Sequence, residues 1–482
     1  MKKSITKNYI YNLIYQILII LIPLITTPYL SRVLGVNNIG IYSYTLSIVT
    51  YFILFGSLGI SLYGQREIAY YQDNKKKRSK TFWEIITMRF ISLGLSLILF
   101  YISFCRKGEY LAYYKILILE IIANAFDISW FFQGIEEFKK TVMRNMLVKI
   151  LSVFSIFIFV KNQSDLYKYF CIYVFSNLIG NMSLWFYLRK YIEKIEFKEL
   201  NVFKHLKPTI SLFIPQIAVQ IYTVLDKTMI GSIVSNKEEV GYYEQAQKIV
   251  KLLLSIATSI GIVMVPRMAN CYYKGEKEKI KTYINKSFSF ILMIAFPLMF
   301  GITSISKKFV PIFYGEGYDK VVYLISLISP IILAIGLSNV TGTQYLLPTK
   351  QQKKFTISVV AGAISNFILN LIFINLWQSI GASIATVIAE FVVTGVQFYL
   401  LRKEIKIKDV INIGKKYFIA GIIMFIVSVL IGNNISNNLI SIVVQTITGG
   451  IIYFIVLILL KDEFLLNLIK TAKEKVCLLV NK

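Results

Sequence analysis

The chain is poor in charged residues and holds few of the residues that enzymes use for acid–base or metal chemistry. Only 16% of its 482 residues are charged, and His205 is its single histidine. Its four cysteines, at positions 105, 171, 271 and 477, have no metal-binding or redox spacing. Soluble proteins carry about 25% charged residues, so an ordinary soluble protein is excluded. We therefore predict no catalytic residue, no metal site and no cofactor.

Apolar residues are abundant instead, and they occur in long runs. They make up 56% of the chain, which has a mean hydropathy of +0.62. Runs of about 20 apolar residues recur from end to end, and each is long enough to cross a bilayer as a helix. The sequence thus predicts an all-α integral membrane protein with about 14 transmembrane helices and an uncleaved first span. The predicted spans are 10–30, 40–64, 82–104, 111–132, 142–161, 166–188, 208–232, 246–266, 287–305, 321–346, 356–374, 380–401, 417–432 and 438–460.

Lysine and arginine are distributed unevenly between the two sides of these spans. With the N-terminus inside, 38 of the 53 basic residues fall on the inner side and nine on the outer side. Cytoplasmic loops of membrane proteins carry an excess of Lys and Arg, so both termini are predicted to be cytoplasmic. The net charge of +27 has the same explanation, and no nucleic-acid partner is expected.

A weak internal repeat divides the chain. Segment 36–49 resembles segment 237–250 at a shift of 201 residues, which superimposes Gly40 on Gly241 and Tyr42 on Tyr243. We therefore predict two six-helix lobes, residues 1–200 and 201–401. Helices 13 and 14 and a cytoplasmic tail follow in residues 402–482. Repeats of this kind form a central cavity in many transporters.

Ionisable residues at membrane depth are the candidate site residues. Each costs about 2.5–3.5 kcal/mol on translocon scales, so such side chains usually face a bundle interior or a wet cavity. A cavity with surplus positive charge would attract a multiply charged anion such as a diphosphate, and the planar guanidinium of Arg suits phosphate. Two alternatives stay open: long side chains near span ends can reach water, and neighbours such as Asp226 and Lys227 can neutralise each other. Glu120 and Asp127 are seven residues apart, which predicts a shared helix face.

Four tyrosines lie beside the predicted outer openings of the lobes and are candidates for stacking on sugar rings. They are Tyr42, Tyr44, Tyr242 and Tyr243. The alternative is that they belong to the tyrosine belts found at membrane interfaces.

Several motifs resemble those of the polysaccharide-biosynthesis flippases of the multidrug/oligosaccharidyl-lipid/polysaccharide exporter superfamily. The resemblance runs from the first to at least the twelfth predicted span. The motifs are ITTPYLSRVLGVNNIGIYSY (25–44), YGQREIA (63–69), DISWFFQGIEEFKK (127–140), LDKTMIG (225–231), EVGYYEQAQKIVK (239–251) and QYLLP (344–348).

The resemblance implies a transporter that turns undecaprenyl-diphosphate-linked oligosaccharides from the cytoplasmic to the outer leaflet of a bacterial cell membrane. Alternating access would carry them, for synthesis of capsule, O-antigen or exopolysaccharide. Polysaccharide polymerase and export machinery are the implied candidate partners, besides the lipid bilayer. The family's cationic cavity maps onto Arg32, Arg66, Arg89, Lys149, Lys227, Lys251 and Arg267. The candidates for proton binding or for counter-ions are Glu120, Asp127, Asp226 and Glu390.

Asp127 opens the most specific of these motifs. We expect it near the inner end of the fourth span, as a counter-ion to a nearby cation or as a proton-binding group. Trp130, Phe131 and Phe132 would then anchor that end at the membrane interface, and Gly134 would end the helix. The alternative is a helix-end carboxylate paired with Lys140 or Arg144.

Two other functions stay open. A multidrug or cation exporter of the same superfamily would need an acidic cavity, whereas this one is predicted to be basic. A membrane glycosyltransferase or polysaccharide polymerase would need a large outer loop, whereas the longest outer stretch, 307–320, is short. The sequence does not indicate the sugar, the coupling ion, the oligomeric state or the role of helices 13 and 14.

Overall fold

The computed structural model describes residues 5–480, and over this range the chain is helical without any β-strand. A π-helix at Asn339–Leu346 follows α13 directly. The α-helices are α1 (Ile5–Ser57), α2 (Ile60–Tyr70), α3 (Lys75–Phe104), α4 (Leu111–Ala125), α5 (Ser129–Gly134), α6 (Phe138–Phe159), α7 (Leu166–Leu188), α8 (Leu206–Ile233), α9 (Glu238–Thr258), α10 (Gly261–Tyr273), α11 (Lys277–Tyr314), α12 (Asp319–Ile328), α13 (Ile331–Ser338), α14 (Gln352–Leu400), α15 (Ile407–Asn433), α16 (Asn438–Leu459) and α17 (Glu463–Val480).

The helices confirm an all-α membrane protein. Among the described residues, 10 helical stretches are long and apolar enough to cross a membrane, or up to 11 with the bent pair formed by α9 and α10. Two of these stretches are interrupted, at Gly35 (φ 74°) in α1 and at Gln378 (φ 53°) in α14. The interruptions fall between the predicted spans 1 and 2 and between the predicted spans 11 and 12. The number of 14 spans stays a prediction.

The chain divides into two compact units, Met1–Gly241 and Tyr242–Lys482. In the first unit, α8 packs against α1 and α2. The contact boundary therefore lies about 40 residues beyond the lobe boundary that the repeat predicts at 200/201. In the second unit, α11 packs against α15 and α16, so the predicted helices 13 and 14 belong to the same compact body as α11. The tail after Lys461 contains α17, a helix that the sequence reading did not place.

The stretch that begins at Asp127 forms part of the core of the first unit. In α5, the side chains of Trp130, Phe131 and Phe132 are fully buried. The Trp130 ring stacks on Phe82 with 5.7 Å between ring centroids. The expectation that these three rings anchor the helix at the membrane interface is therefore wrong. They pack between α2 and α3 instead, where burying each ring contributes roughly 1.5–3 kcal/mol. Gly134 ends α5, as predicted.

The two glycines that the repeat superimposes lie against each other in the first unit. A Cβ added to Gly40 would lie 1.8 Å from the backbone oxygen of Lys237 and 3.1 Å from the backbone nitrogen of Gly241. A Cβ added to Gly241 would lie 2.2 Å from the backbone oxygen of Val36. Since these obstacles are backbone atoms, no side-chain rotation can relieve them. The start of α9 can approach α1 this closely only because both positions lack a side chain.

We predict that Gly40→Ala lowers the stability of the folded protein by about 1–3 kcal/mol, because the added methyl group forces two backbones apart. The melting temperature of the purified protein in detergent measures the effect. Gly94→Ala in α3 and Gly450→Ala in α16 are matched controls, since a Cβ at either site meets nothing within 4 Å. Alanine favours helices over glycine, so the controls should melt at or above the wild-type temperature. Equal melting of Gly40→Ala and its controls would contradict the close approach.

Candidate functional site

Glu120 is a buried carboxylate in the first unit, held by amides rather than by a cation. Its side chain is 6% exposed. The Nδ2 of Asn177 on α7 donates to both carboxylate oxygens at 3.1 Å, and the Nδ2 of Asn124 lies 3.5 Å from Oε1. In the described part of the chain no Lys or Arg lies within 4.0 Å of this carboxylate. Amide donors satisfy the oxygens but do not neutralise the charge, so Glu120 is suited to bind a proton or a cation.

Arg89 is the most deeply buried of the predicted cations. It is 2% exposed, its Nε donates to the backbone oxygen of Asn124 at 2.9 Å, and its Nη1 donates to Ser61 Oγ at 3.5 Å. Asn124 also contacts Glu120, so one asparagine connects the buried cation with the buried acid. Asp127 is near enough to Arg89 to interact with it electrostatically, and its role as a counter-ion stays a prediction.

Asp127 does not share a helix face with Glu120, because α4 ends at Ala125. The Oδ1 of Asp127 accepts a hydrogen bond from the backbone nitrogen of Ser129 at 2.9 Å and so stabilises the turn into α5. The two cations weighed as alternative partners bind elsewhere: Arg144 donates to Asn181 Oδ1 at 2.7 Å, and Lys140 donates to the hydroxyl of Tyr191. The prediction of a shared helix face from the seven-residue spacing was wrong, because it required a helix that continues past Ala125.

The other predicted cations of the first unit differ in their surroundings. Arg66 is exposed, with a salt bridge to Glu67 at 3.2 Å, and Arg32 is exposed on α1. Lys149 on α6 is half-buried and forms no ion pair or hydrogen bond within the described part of the chain. Lys227 on α8 is half-buried beside the buried Asp226.

The two tyrosines of the first unit lie in different environments. Tyr42 packs within an aromatic cluster, 4.7 Å from Tyr169 and 5.1 Å from Phe170 between ring centroids. Tyr44 faces the ammonium of Lys237, which lies 5.0 Å from its ring centroid. Tyr44 therefore takes part in a cation–π contact at the end of α8, whereas Tyr42 belongs to the packing of α1 on α7.

In the second unit, α9 and α14 carry a chain of hydrogen bonds. The Nζ of Lys251 donates to Gln247 Oε1 at 3.0 Å, and the Nε2 of Gln247 donates to the hydroxyl of Tyr243 at 3.0 Å. The Tyr243 hydroxyl lies 3.0 Å from Thr386 Oγ1, and the Tyr243 ring is fully buried. Lys251 itself is exposed, so the chain leads from a surface cation to a buried hydroxyl.

The remaining candidates of the second unit lie on α9, α10 and α14. Arg267 on α10 is exposed, and Glu390 on α14 is 8% exposed. The ring of Tyr242 lies 6.5 Å from that of Tyr318, with the ammonium of Lys320 at 6.0 Å. Within the units, the structure thus connects Arg89 to Glu120 through Asn124, and Lys251 to Tyr243 through Gln247.

A second buried network in the first unit was not found from the sequence. Glu84 is fully buried, and its Oε2 accepts hydrogen bonds from Lys204 Nζ at 2.6 Å and from His205 Nε2 at 3.0 Å. The His205 Nδ1 lies 2.7 Å from the Tyr63 hydroxyl. A neutral His205 that donates from Nε2 and accepts at Nδ1 satisfies both contacts. No spacing rule links positions 84 and 205, so only the fold reveals this network.

Comparison with known proteins places the chain in a family. A sequence profile described as "Polysaccharide biosynthesis protein" matches residues 5–271, more than half of the chain. The chain belongs to this family. A second profile, MatE, matches residues 212–375. The chain is also 27% identical over 408 residues to the "Putative O-antigen transporter" of Escherichia coli (strain K12), covering 84% of this chain and 98% of that protein.

The fold agrees with this assignment. The solved structure "Lipid II flippase MurJ, inward closed conformation" superimposes with a TM-score of 0.75, covering 94% of this chain and 99% of that chain at 19% identity. In sequence, "Lipid II flippase MurJ" of Bacillus subtilis (strain 168) is 27% identical over 143 residues, which is 29% of this chain and 26% of that protein. The protein is thus a multi-pass membrane protein of the polysaccharide biosynthesis family. The resemblance drawn from the motifs is confirmed.

We predict that acidification destabilises the protein through His205. Burial lowers the pKa of His205 below its ordinary value of 6.5, although the neighbouring Glu84 carboxylate acts in the opposite direction. Lys204, which also faces the ring, lowers the pKa, whereas Glu67 raises it. Because the unfolded chain binds the proton more tightly, stability should fall as the pH drops below about 6.5.

The measurement compares melting temperatures at pH 7.5 and pH 5.5 for wild type, His205→Gln and Lys204→Gln. The loss on acidification should be smaller in His205→Gln than in wild type. Lys204→Gln removes a charge that also lowers the His205 pKa but leaves the imidazole in place, so it should reduce the loss on acidification less than His205→Gln does. If His205→Gln loses as much stability on acidification as wild type does, the assignment of the neutral ring is wrong.

Proposed function

We propose that the protein flips undecaprenyl-diphosphate-linked oligosaccharide repeat units from the cytoplasmic to the outer leaflet of a bacterial cell membrane. It does so by alternating access, and the units serve synthesis of capsule, O-antigen or exopolysaccharide. The match of the polysaccharide biosynthesis profile to residues 5–271 carries this proposal. The O-antigen transporter relative supports it, since the similarity covers 84% of this chain.

The excess of basic residues fits the proposed substrate. A diphosphate carries several negative charges in a small volume, and at low dielectric even one nearby cation contributes several kcal/mol of attraction. The proposed cationic cavity uses Arg32, Arg66, Arg89, Lys149, Lys227, Lys251 and Arg267. The sugars would meet tyrosine rings, and the lipid tail would stay in the bilayer.

Arg89 and Lys149 differ in their contacts, and these contacts favour different roles. Arg89 already uses its Nε and Nη1 to bind Asn124 and Ser61, so much of its hydrogen-bonding capacity stabilises the first unit. Lys149 has no such bond in the described residues, and its three ammonium protons remain available. We therefore assign Lys149 to the diphosphate and Arg89 chiefly to holding α3 against α4.

The orientation and partners complete the proposal. Both termini lie in the cytoplasm, in accord with the basic inner loops. Glu120 and Asp127 serve as proton-binding or counter-ion groups beside Arg89, with Asp226 and Glu390 as further acids. Polysaccharide polymerase and export machinery are the proposed protein partners.

A multidrug or cation exporter is the second candidate function, and one observation favours it. The MatE profile matches residues 212–375, which include most of α8, all of α9 to α13 and the first half of α14. Export of cationic compounds would require an acidic binding site, and in that case replacing Lys149 would leave transport unchanged or improve it.

We predict that Lys149→Gln slows flipping about tenfold or more, the loss expected when one charged contact of roughly 1.4 kcal/mol is removed. The assay uses purified protein in liposomes and a fluorescent undecaprenyl-diphosphate oligosaccharide whose outward exposure is read by a membrane-impermeant quencher. Lys115→Gln removes the same charge at an exposed site on α4 and should flip at the wild-type rate. The melting temperature of Lys149→Gln should match wild type, whereas that of Arg89→Gln should drop. A wild-type flipping rate in Lys149→Gln would remove this lysine from the site.

Deletion in the native bacterium provides the cellular test. The proposal predicts that the lipid-linked repeat unit accumulates on the cytoplasmic leaflet, because its synthesis continues while its transfer stops. Leaflet distribution is measured by labelling with a lectin in intact cells and in inverted vesicles. Accumulation of the repeat unit on the outer leaflet would instead indicate a polymerase. An unchanged leaflet distribution, together with greater sensitivity of the cells to toxic cations, would indicate an exporter.

A further inference from the structure

The second unit contains a large cavity at the end of the bundle where three predicted inner loops converge. Its volume is about 1130 Å³. The walls come from residues of α10 and α11, from the turn at 347–351 and from residues 403–410. These segments fall within or beside the predicted cytoplasmic stretches 267–286, 350–354 and 402–416. The cavity lies far along the chain from Glu120, Arg89 and Lys149.

Five lysines line this cavity, which we call the lysine pocket. They are Lys277, Lys281, Lys350, Lys403 and Lys406. None of the five forms an ion pair in the part of the chain that the structure describes, although neighbouring lysines do. Lys279 pairs with Glu276 at 2.9 Å and Lys354 with Glu404 at 3.2 Å, and neither of these lysines lines the pocket. Two nearby acids, Glu276 and Glu404, are thus paired with lysines outside the pocket.

Three acids also line the pocket, and one of them, Glu404, already has side-chain partners. Glu404 accepts hydrogen bonds from Gln351 Nε2 at 3.2 Å and from the Tyr345 hydroxyl, besides the Lys354 ion pair. Burial alone would raise its pKa, but the bonds from Tyr345, Gln351 and Lys354 hold the pKa of Glu404 below its usual value. The remaining two, Glu278 and Asp409, are exposed in the first turns of α11 and α15. Five lysines against these two acids leave a surplus of positive charge.

The backbone adds to that positive field. The helices α11, α14 and α15 begin at Lys277, Gln352 and Ile407, beside the pocket. Helix N-termini carry a partial positive charge and favour anions. Lys350 holds a left-handed conformation with φ 61°, which costs about 1–2 kcal/mol for a residue other than glycine.

An apolar groove adjoins the lysine pocket. It has a volume of about 410 Å³ and shares Val410 with the pocket. Its walls include Leu292, Phe296 and Phe398, and Lys415 is its single charged lining residue among those described. A phospholipid consists of a phosphate-bearing headgroup joined to acyl chains, and this neighbourhood of cations and apolar rings matches both parts. A freely soluble phosphate has no apolar part that could bind in the groove.

We propose that the lysine pocket binds a phosphate-bearing anion, supplied by the headgroup of an anionic phospholipid whose acyl chain lies in the adjoining groove. Basic pockets between helices on the cytoplasmic side bind such headgroups in other membrane proteins. This site is separate from the proposed transport path, and its occupancy ties α10, α11 and α15 together at one end of the second unit.

Native mass spectrometry of the full-length protein in detergent tests the proposal, with phosphatidylglycerol and phosphatidylcholine as probes. Wild type should retain phosphatidylglycerol in preference to phosphatidylcholine. The variant Lys281→Gln/Lys350→Gln/Lys403→Gln should retain about tenfold less phosphatidylglycerol or lower still, given the contribution of each lysine near an anionic headgroup. The matched control, Lys274→Gln/Lys286→Gln/Lys353→Gln, removes the same charge from exposed lysines outside the pocket and should bind like wild type.

A second pair of variants separates binding from folding. Lys350→Gly relieves the left-handed backbone, so it should melt at or above the wild-type temperature while binding less phosphatidylglycerol. Lys350→Arg keeps the charge and should bind like wild type.

Inorganic pyrophosphate distinguishes the source of the anion. One outcome would keep the anion site but replace the lipid by a soluble ligand. In that outcome, pyrophosphate raises the melting temperature of wild type but not of the pocket variant, and both lipids bind equally. Equal retention of both lipids without a pyrophosphate effect would overturn the proposal, as would equal loss of binding in the pocket and control variants.

Discussion

The absence of water in the bilayer core is the constraint on which this structure depends. A backbone amide or carbonyl without a partner there costs several kcal/mol, so the chain crosses as helices and can interrupt them only where side chains replace the lost bonds. At the break in α1, Asn38 Nδ2 donates to the backbone oxygens of Leu34 and Gln163. At the break in α14, Asn375 Nδ2 donates to the backbone oxygen of Leu371. Each interruption thus has an asparagine nearby whose side chain donates to a backbone oxygen.

The same constraint applies to charged side chains, and it separates structural from functional ones. Glu84 is satisfied by Lys204, His205 and a backbone nitrogen, and Arg89 by Asn124 and Ser61. Such groups stabilise the fold because removing a partner would leave an unsatisfied polar atom. Lys149 and the five pocket lysines are different, because none of them forms an ion pair in the described residues. Lys149 is half-buried and the pocket lysines are exposed around a cavity, so both leave cations available to an anionic ligand.

Particular residues show where sequence reasoning succeeded and where it failed. The gap between the first two predicted spans fell on the interruption at Gly35, because hydropathy and glycine conformation are both local properties. The assignment of Trp130, Phe131 and Phe132 to the interface failed, since aromatic rings at a span end suit either an interface or a core. The helix-face argument for Glu120 and Asp127 failed because α4 ends two residues before Asp127. The amide partner of Glu120, Asn177, is 57 residues away and follows from no sequence pattern.

The sequence by itself determined the class of protein, its all-helical membrane character and its family, and it predicted an orientation. These follow from sums over local windows of hydropathy and charge, and from motifs, all of which can be read without knowing which helices touch. Only the tertiary structure decided which charges are neutralised, which aromatic rings are buried and where cavities form. Those outcomes depend on side chains that are distant in the chain, such as Glu84 and His205, and on close approaches such as that of Gly40 to Gly241. Helix packing alone brings them together, because the free energy of a buried charge depends on its neighbours in space.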